Sequence, residues 1–205
     1  MSTTEKSPDQ RRAKGIESRQ TIIDAAIKCI ATRGLCDTTL DRVADMAKVS
    51  RALLVFHFKS KKGLLTAVLA SISTDYDLGW QAIVAQANLS PSERLYKFMV
   101  YDAELPTNKP DLLSVWHSFW GEAKGLYKEL GYAKDEAYEQ DMEVLIQAMV
   151  DESNYPINAR LLTQSIVAMS FGIWWNAHLK GSKTHLDDSM QTIDSFLKLC
   201  FPKHY

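Results

Sequence analysis

Glycine and proline are scarce in this sequence, which has nine glycines and six prolines among its 205 residues. Because clusters of these residues mark the turns of sandwiches and barrels, their wide spacing favours long helices over a β fold. Uninterrupted apolar runs are also short. The longest extends roughly from Ile166 to Trp175, well below the ~18 residues of a membrane span, so we expect no membrane partner.

Cysteine is scarce as well, occurring only at Cys29, Cys36 and Cys200 and never in a C-x-x-C pair. An odd number of cysteines without metal-ligand spacing is typical of free thiols in a reducing compartment. The N-terminal segment MSTTEKSPDQRRAKG lacks the apolar stretch of a secretory signal. We therefore expect a cytoplasmic protein.

Sequence motifs of catalysis and metal binding are lacking too. The chain has no phosphate-binding loop, no G-x-S-x-G, no H-E-x-x-H and no Cys/His cluster at metal spacing. The carboxylate pairs Asp75/Asp77 and Asp187/Asp188 have no partner base nearby in the sequence. We therefore expect no enzyme, no metal and no other cofactor, although an enzyme without these motifs stays open as an alternative.

Charge is divided unevenly along a chain whose formal net charge is only −1. Residues 1–62 hold 13 lysines and arginines against 7 aspartates and glutamates, whereas residues 63–205 hold 11 against 18. A basic head on an acidic body indicates that the head alone meets a polyanion such as nucleic acid. A solvated basic tail without a partner is the alternative.

The basic part has the pattern of three helices. Apolar residues recur on one face of SRQTIIDAAIKCIATRG, and Gly34 is placed to end this first helix in a left-handed conformation. The segment TTLDRVADMA predicts a second, short helix capped by Thr38 or Thr39. After the turn KVS, Ser50 is placed to cap a third helix, RALLVFHF. Two short helices joined by such a turn form a helix-turn-helix.

The remainder predicts a larger helical body. Ser60 is placed to cap a long fourth helix that ends before Pro91, and further helices are separated by LPTNKPD, KGLYKELGYAK and DESNYPIN. Residues 157–180 are apolar on more than one helical face, so we expect burial on several sides, including against a second subunit. The last two helices then form a four-helix bundle with their copies in a homodimer.

Residues 38–65, TTLDRVADMAKVSRALLVFHFKSKKGLL, resemble the DNA-binding signature of the TetR family of repressors. The shared features are the paired threonines, the V-S turn, the H-F pair, the K-S-K segment and the two leucines that lead into the fourth helix. Within that family, the patterns W-x-x-F-W and G-I-W-W-N-A-H-L-K-G resemble the choline-responsive repressors of betaine synthesis, the BetI type.

The resemblance implies an all-α fold with an N-terminal three-helix helix-turn-helix head and a larger helical body for ligand binding and dimerisation. We assign residues 1–15 to a disordered basic arm, 16–62 to the DNA-binding domain and 63–205 to the body. The implied function is that of a ligand-responsive transcriptional repressor, which binds a pseudo-palindromic operator in double-stranded DNA as a dimer. A small quaternary ammonium compound is the implied effector.

The sequence departs from the family pattern at two positions. Lys48 stands where the turn usually has glycine, so this residue is expected to need another backbone angle or to tolerate a strained positive φ. Val55 stands where the recognition helix often has a tyrosine that contacts phosphate. Other residues must therefore supply part of the DNA contact.

DNA-contacting residues are expected in and around the third helix, whose first residues lie against base edges in this motif. Arg51 is placed to contact guanine, with a phosphate contact or a solvated charge as the alternative. For His57, internal packing is the alternative. The expected set is Thr39, Lys48, Ser50, Arg51, Ala52, Leu53, Val55, Phe56, His57, Lys59 and Lys61. Lys62 is expected at phosphate beside them, and Arg11, Arg12 and Lys14 of the arm in the minor groove.

Two aromatic triplets, each at positions i, i+3 and i+4, form one face of two helices in the body. Such a face is often plain core, but tryptophan rings also hold a desolvated quaternary ammonium group, at about 0.5–2 kcal/mol for each ring. Given the resemblance, we expect an aromatic cage for the effector. Its candidates are Trp116, Phe119, Trp120 and Trp174, with Phe171, Trp175 and Tyr127 as further members.

Polar groups near the expected cage are candidates for the rest of the ligand. Asp102 or Glu104 is placed to balance the positive charge, and His117 and Asn176 to bond a hydroxyl or carboxylate. Because neighbours on a helix point about 100° apart, one of Trp174 and Trp175 is expected at the dimer seam instead. A sensor of drugs or hydrophobic ligands, and a helical dimeric scaffold that does not bind DNA, remain alternative functions.

Overall fold

The computed structural model describes residues 8–130, 132–181 and 185–205, and in these ranges every regular element is an α-helix. The all-α prediction is confirmed. The helices are α1 (Pro8–Arg33), α2 (Leu40–Ala47), α3 (Arg51–Phe58), α4 (Lys61–Val84), α5 (Pro91–Asn108), α6 (Pro110–Glu122), α7 (Lys124–Leu130), α8 (Tyr132–Ser153), α9 (Ala159–Lys180) and α10 (Leu186–Cys200).

Helices α1 to α3 form the head, and a hydroxyl side chain caps the start of α2 and of α3. Thr39 accepts from the Arg42 N–H at the start of α2, at 3.3 Å, and Ser50 accepts from the Leu53 N–H at the start of α3, at 3.2 Å. The apolar faces of these helices meet in a small core. Its fully or almost fully buried members include Ile22, Ile23, Ala26, Ile30, Val43, Leu54 and Phe58.

In the turn between α2 and α3, Lys48 adopts the strained positive φ that was one of the two expectations from the sequence. Lys48 has φ 55° and ψ 42°, a region that costs an L-residue roughly 1–2 kcal/mol and that glycine would adopt freely. Its N–H donates to the Asp45 carbonyl at 3.1 Å and so closes α2. The strain is therefore held by the packing of the two helices on either side.

Helix α4 joins the head to the body. Ser60 caps it by accepting from the Gly63 N–H at 3.1 Å, and Gly63 lies so close to α3 that an added Cβ would be 2.1 Å from the Phe58 carbonyl oxygen. The junction between α3 and α4 therefore requires glycine at this position. Further along α4, buried apolar residues such as Leu69, Ile72 and Trp80 pack into the body.

Two predicted separators are wrong. Helix α5 continues through Pro106 to Asn108, and only Lys109 lies between it and α6, so LPTNKPD is almost wholly helical. Pro106 has no N–H to donate to the Asp102 carbonyl, which accepts from the Trp174 Nε1 instead. Pro110 at the first position of α6 has no N–H that needs an intrahelical partner. Residues 124–130 of KGLYKELGYAK form α7, because most of these residues favour helix.

The first helix begins earlier than the sequence suggested. We expected disorder over residues 1–15, but α1 starts at Pro8, so residues 8–15 are helical. Proline in the first turn followed by Asp9 is a favourable helix start, because the fixed φ suits the helix and the carboxylate complements its dipole. Arg12 and Lys14 are exposed along this turn, whereas residues 1–7 and the side chain of Arg11 lie outside the described part.

The body surrounds α5, which packs against α4, α6, α8, α9 and α10. Helix α1 of the head packs along α6, so the head touches the body through α6 as well as through α4. None of the helices in the described ranges is long and apolar enough to cross a membrane. The arrangement gives the body two physical connections to the head, at the first turn of α4 and at the end of α6.

Candidate functional site

The recognition-helix candidate, α3, presents an unusually apolar outer face. Phe56 is 69% exposed and Val55 is 36% exposed, while Ala52 and Arg51 are exposed beside them. Leu54 and Phe58 point the other way, into the head core. The outer face of α3 is thus free to lie against base edges and thymine methyl groups.

Arg51, at the first position of α3, pairs with Asp41 of α2 across 3.3 Å. Both side chains are more than 60% exposed, so solvent screens the pair and it contributes little to stability. The guanidinium can therefore exchange this partner for an acceptor on DNA.

Three other expected DNA-contacting residues near α3 have contacts within the chain. Lys59 points outward, with its ammonium 5.4 Å from the centre of the Phe56 ring. The Nε2 of His57 forms a hydrogen bond of 2.9 Å with the Ser18 hydroxyl, and this contact favours internal packing, the alternative given for His57 from the sequence. Lys62 pairs with Glu129 of α7 at 3.4 Å.

Lys61 is engaged within the chain, although the sequence placed it at a phosphate. Its ammonium donates to the carbonyl oxygens of Leu35 at 2.6 Å and Cys36 at 3.3 Å, in the loop between α1 and α2. The sequence could not show this, because the two segments are 25 residues apart. The lysine fixes the first turn of α4 to the head.

Glu122, the last residue of α6, holds the same loop from the body side. Its carboxylate accepts from the N–H of Leu35 at 3.2 Å and from the N–H of Cys36 at 2.8 Å. These bonds and one from the Cys36 thiol hold the pKa of Glu122 below its usual range, and the thiol bond is the largest cause. Residues 34–36 are thus clamped between α6 and α4, and we call this arrangement the loop clamp.

A cavity of about 100 Å³ lies in the body between α4, α5, α6, α8 and α9. Six of its lining residues were expected from the sequence: Trp116, Trp120, Trp174, Phe171, Tyr127 and Asp102. Five were not: Tyr76, Tyr138, Glu139, Val167 and Ser170. The lining is predominantly aromatic, and the polar groups among it are hydroxyls and carboxylates.

Asp102 supplies the buried charge of this cavity. It is 1% exposed, and its two carboxylate oxygens accept from the hydroxyls of Tyr76 and Tyr138, each at 2.7 Å. Burial raises the pKa of Asp102, and bonds from Tyr138, Tyr76 and Ser170 oppose the rise. In the described part of the chain no lysine, arginine or histidine pairs with it, so its charge is balanced only by neutral donors.

The tryptophans of the cavity are held in fixed orientations. The ring of Trp120 lies nearly parallel to those of Trp116 and Trp174, with ring centres 5.9 Å and 6.0 Å apart and planes 25° apart in both pairs. Trp174 also donates from Nε1 to the Asp102 carbonyl at 2.9 Å, and Tyr76 meets its ring edge-on. Aromatic faces and a buried carboxylate together are the chemistry that recognises an organic cation.

Five of the expected ligand-binding residues lie elsewhere. Phe119 is fully buried in the core, on the inner side of α6, and Glu104 is exposed on α5. Trp175 is 54% exposed and does not line the cavity, whereas its neighbour Trp174 does. Adjacent residues on a helix point about 100° apart, so the two rings lie on different sides of α9. His117 bonds the Leu113 carbonyl and stacks on His178 at 4.4 Å, and Asn176 does not line the cavity either.

Tyr76, Tyr138 and Ser170 were not expected in the site, and the sequence carried only a weak signal for them. Each occupies an inward position of its helix, where Tyr and Ser also serve ordinary packing. Their role depends on Asp102, which lies buried inside α5. A buried carboxylate requires hydroxyl or N–H donors around it, so the position of Asp102 determines the role of the others.

Helix α9 has a solvent-exposed side opposite the cavity. Its members recur at helical spacing and combine large apolar residues at both ends with small residues between: Leu161, Ser165, Ala168, Gly172, Trp175 and Leu179. We call this set the α9 outer face. Small residues permit two helices to approach closely, and exposed Leu and Trp have apolar surface to bury.

Comparison with known proteins adds to this geometry. Residues 22–68 match the family described as "Bacterial regulatory proteins, tetR family". The chain is 42% identical over 82 residues to SrpR, an HTH-type transcriptional regulator of Pseudomonas putida, although the match spans 35% of this chain and 38% of SrpR. It is 23% identical over 186 residues to BetI of Paraburkholderia xenovorans, spanning 88% of this chain and 92% of BetI.

The fold has solved counterparts. A transcriptional regulator from Saccharomonospora viridis, solved in complex with choline, superposes with a TM-score of 0.75 at 23% identity, covering 89% of this chain and 96% of that one. The match to SrpR spans about a third of this chain, whereas those to BetI and the choline complex span 88% and 89% of it and so extend into the body. These relatives are named as transcriptional regulators and not as enzymes. Residues 22–68, which include most of the head, therefore match the DNA-binding domain of the TetR family of bacterial regulatory proteins.

Proposed function

We propose that this protein is a transcriptional repressor whose affinity for an operator is lost or changed when a compact organic cation occupies the cavity of the body. The observation that carries the proposal is Asp102, a buried carboxylate in an aromatic cavity without a cationic partner among the described residues. A cation of the choline type, as seen in the S. viridis relative, matches both the charge and the small volume.

The head is proposed to bind double-stranded DNA through α3. Arg51, Ala52 and Phe56 lie on its exposed face, and the N-terminal residues of such a helix reach base edges in the major groove. Lys59 beside Phe56 and the exposed Arg12 and Lys14 of α1 supply positive charge for phosphate. Lys61 is better explained by its bonds within the loop clamp than by a phosphate contact.

Two copies of the chain are proposed to associate through the last two helices, with the α9 outer face at the seam. The face contains Trp175 and Leu179, which are 54% and 63% exposed, and Leu199 of α10 is 81% exposed. Burying such residues against a copy of themselves gains free energy in proportion to the apolar area removed from water. A dimer also places two α3 helices for two half-sites, which lie about 34 Å apart for one turn of DNA.

Coupling between cavity and head is proposed to run along α4 and α6. Tyr76 of α4 bonds Asp102 directly, so a shift of that carboxylate moves the helix that leads to the head. Trp116 and Trp120 line the cavity on α6, and the same helix ends at Glu122 in the loop clamp. A cation that favours one arrangement of α4 and α6 must therefore also favour one orientation of the head.

Saturable binding of the protein to duplex DNA from upstream of its own gene tests the head. In a gel shift, affinity should fall steeply with salt as counterions are released, and Arg51→Ala should cost roughly 1–3 kcal/mol at the specific site if the arginine contacts a base. The matched control is Arg160→Ala, which removes the same charge from exposed α9 and should bind as the wild type does. No saturable binding, or an equal loss in both variants, contradicts the assignment of α3.

The cavity is tested by measuring cation binding in two variants, one with a cavity tryptophan replaced and one with an exposed tryptophan replaced. By calorimetry, Trp120→Ala should bind choline or tetramethylammonium about 2- to 30-fold more weakly, since one cation–π contact is lost, and should still bind DNA. Trp175→Ala should keep the cation affinity and weaken the dimer in sedimentation equilibrium, because its ring is exposed on the α9 outer face. If Trp120→Ala loses DNA and cation binding equally, Trp120 is a core residue and the cage is wrong.

Glu122→Gln tests the coupling through the loop clamp. The amide cannot accept from both N–H groups and the thiol as the carboxylate does, so the variant should still bind the cation while DNA affinity responds less to it. Because the pKa of Glu122 is lowered in the folded protein, the wild-type clamp should likewise weaken as the pH falls through that lowered value.

Glu129→Gln is the matched control for this test, since it removes one exposed ion pair with Lys62 near the same junction and should leave the response intact. A full cation response in Glu122→Gln, measured by gel shift with and without choline, would show that α6 does not carry the signal.

A further inference from the structure

The outer face of α3 presents apolar surface at the place where a DNA-reading helix meets base edges. Ala52 and Phe56 lie at positions i and i+4 and share the centre of this face, with Val55 exposed beside them and Leu53 half-buried at its edge. Phe56 is 69% exposed, more than any other phenylalanine or tryptophan in the described part of the chain. A contiguous exposed apolar patch of this kind marks a surface that a partner covers.

Hydrogen-bonding side chains are scarce in α3, which the structure describes in full. Of its eight side chains, only those of Arg51 and His57 can form hydrogen bonds. The Nε2 of His57 is bonded to the Ser18 hydroxyl at 2.9 Å, on the side that faces α1. The pair of Arg51 with Asp41 is exposed and screened by solvent, so the guanidinium can exchange its partner. Arg51 is therefore the side chain of α3 that is available to form a hydrogen bond with a base.

Positive charge borders the apolar part of this face at both ends. Arg51 occupies the first position of α3, Lys59 follows its last residue, and Lys48 lies in the preceding turn, and all three are exposed. This pattern is complementary to the major groove of duplex DNA, whose rims carry phosphates and whose floor presents base edges. Duplex DNA therefore fits both the charge and the position of the outer face of α3.

The floor of the major groove carries one apolar group, the C5 methyl group of thymine. The other groups that it presents are hydrogen-bond donors and acceptors. A donor or acceptor that Ala52 or Phe56 covers loses its water without gaining a partner, which is costly. A covered methyl group is instead stabilised by leaving water. The outer face of α3 therefore favours base pairs that place a methyl group against it.

We propose that Phe56 and Val55 select the operator by the C5 methyl groups of its thymines, with Arg51 as the hydrogen-bonding contact to a neighbouring guanine. This inference rests on the proposed function, because it requires α3 to lie in the major groove. It deepens that function by naming what each operator half-site presents to α3: pyrimidines that bear a C5 methyl group. The methyl group, rather than the base that carries it, is the feature that this face distinguishes.

Replacement of thymine by uracil in a bound duplex tests the proposal with the wild-type protein. The probe is a duplex that the protein enriches from a randomised pool, synthesised again with deoxyuridine in place of the thymidines of its two half-sites. Uracil lacks the methyl group and keeps every hydrogen-bonding group of thymine. In a gel shift, the affinity should fall about 4-fold for each methyl group that α3 buries. The same replacement outside the half-sites is the control and should leave the affinity unchanged.

The outcomes separate this inference from the proposed function. If the protein enriches no duplex, DNA binding itself fails. If it enriches a duplex that binds equally well with thymine and with uracil in the half-sites, DNA binding stands and the selection by methyl groups is wrong.

Methylation of cytosine supplies a gain-of-affinity test. A half-site thymine on which uracil replacement has an effect is changed to cytosine, which should weaken binding. Adding a C5 methyl group to that cytosine should then restore part of the affinity, because the methyl group occupies the same place in the major groove. Equal affinities for cytosine and 5-methylcytosine at this position would contradict the proposal.

Two pairs of variants assign the selection to named residues. Phe56→Ala should bring the ratio of thymine-duplex to uracil-duplex affinity towards 1, whereas Arg51→Ala should weaken binding of both duplexes and keep the ratio. Val55→Ala should lower the ratio as well, and its matched control is Val144→Ala, which shortens a valine of α8 that is 66% exposed. If Phe56→Ala weakens both duplexes equally, Phe56 contacts the sugar–phosphate backbone instead and the proposal is wrong.

Discussion

The Asp102 carboxylate lies in the protein interior, where an ionised group without a counter-charge is costly. Three hydroxyl groups, from Tyr76, Tyr138 and Ser170, offset part of that cost and bring α4, α8 and α9 together around α5. The three tryptophans close the remaining side with faces that attract positive charge. We propose that the cavity holds a cation, and the helices that form the cavity would then be the helices that move when the cation binds.

The head and the body meet at two points that both lead back to this carboxylate. Helix α4 carries Tyr76 and begins at the loop clamp, and α6 carries Trp116 and Trp120 and ends there at Glu122. A loop held by Lys61 from one helix and Glu122 from the other responds to the angle between them. In the proposed mechanism, a small rearrangement in the body alters through this loop the separation of the two α3 helices of a dimer.

Local patterns in the sequence predicted the head well, because caps at Thr39, Ser50 and Ser60 and the spacing of apolar residues are local signals. They failed where long-range contacts decide: the bonds of Lys61 to the loop at residues 34–36, and the burial of Asp102 beside Tyr138. The aromatic triplets located the cavity but could not separate Trp120 from Phe119, because helical spacing puts both near one face. The proline and glycine residues also led us to predict breaks in helical structure at Pro106 and at residues 124–130, and both segments are helical.

Thermodynamic linkage gives the most direct test of the central claim that cation binding in the body and DNA binding by the head are coupled. The affinity for choline is measured by titration with the dimer free and with the dimer saturated by its operator. If the cation relieves repression, choline should bind the DNA complex more weakly, by the same factor by which choline lowers the affinity for DNA. An identical choline affinity in both states would show that the cavity and the recognition helices are independent, and would contradict the account.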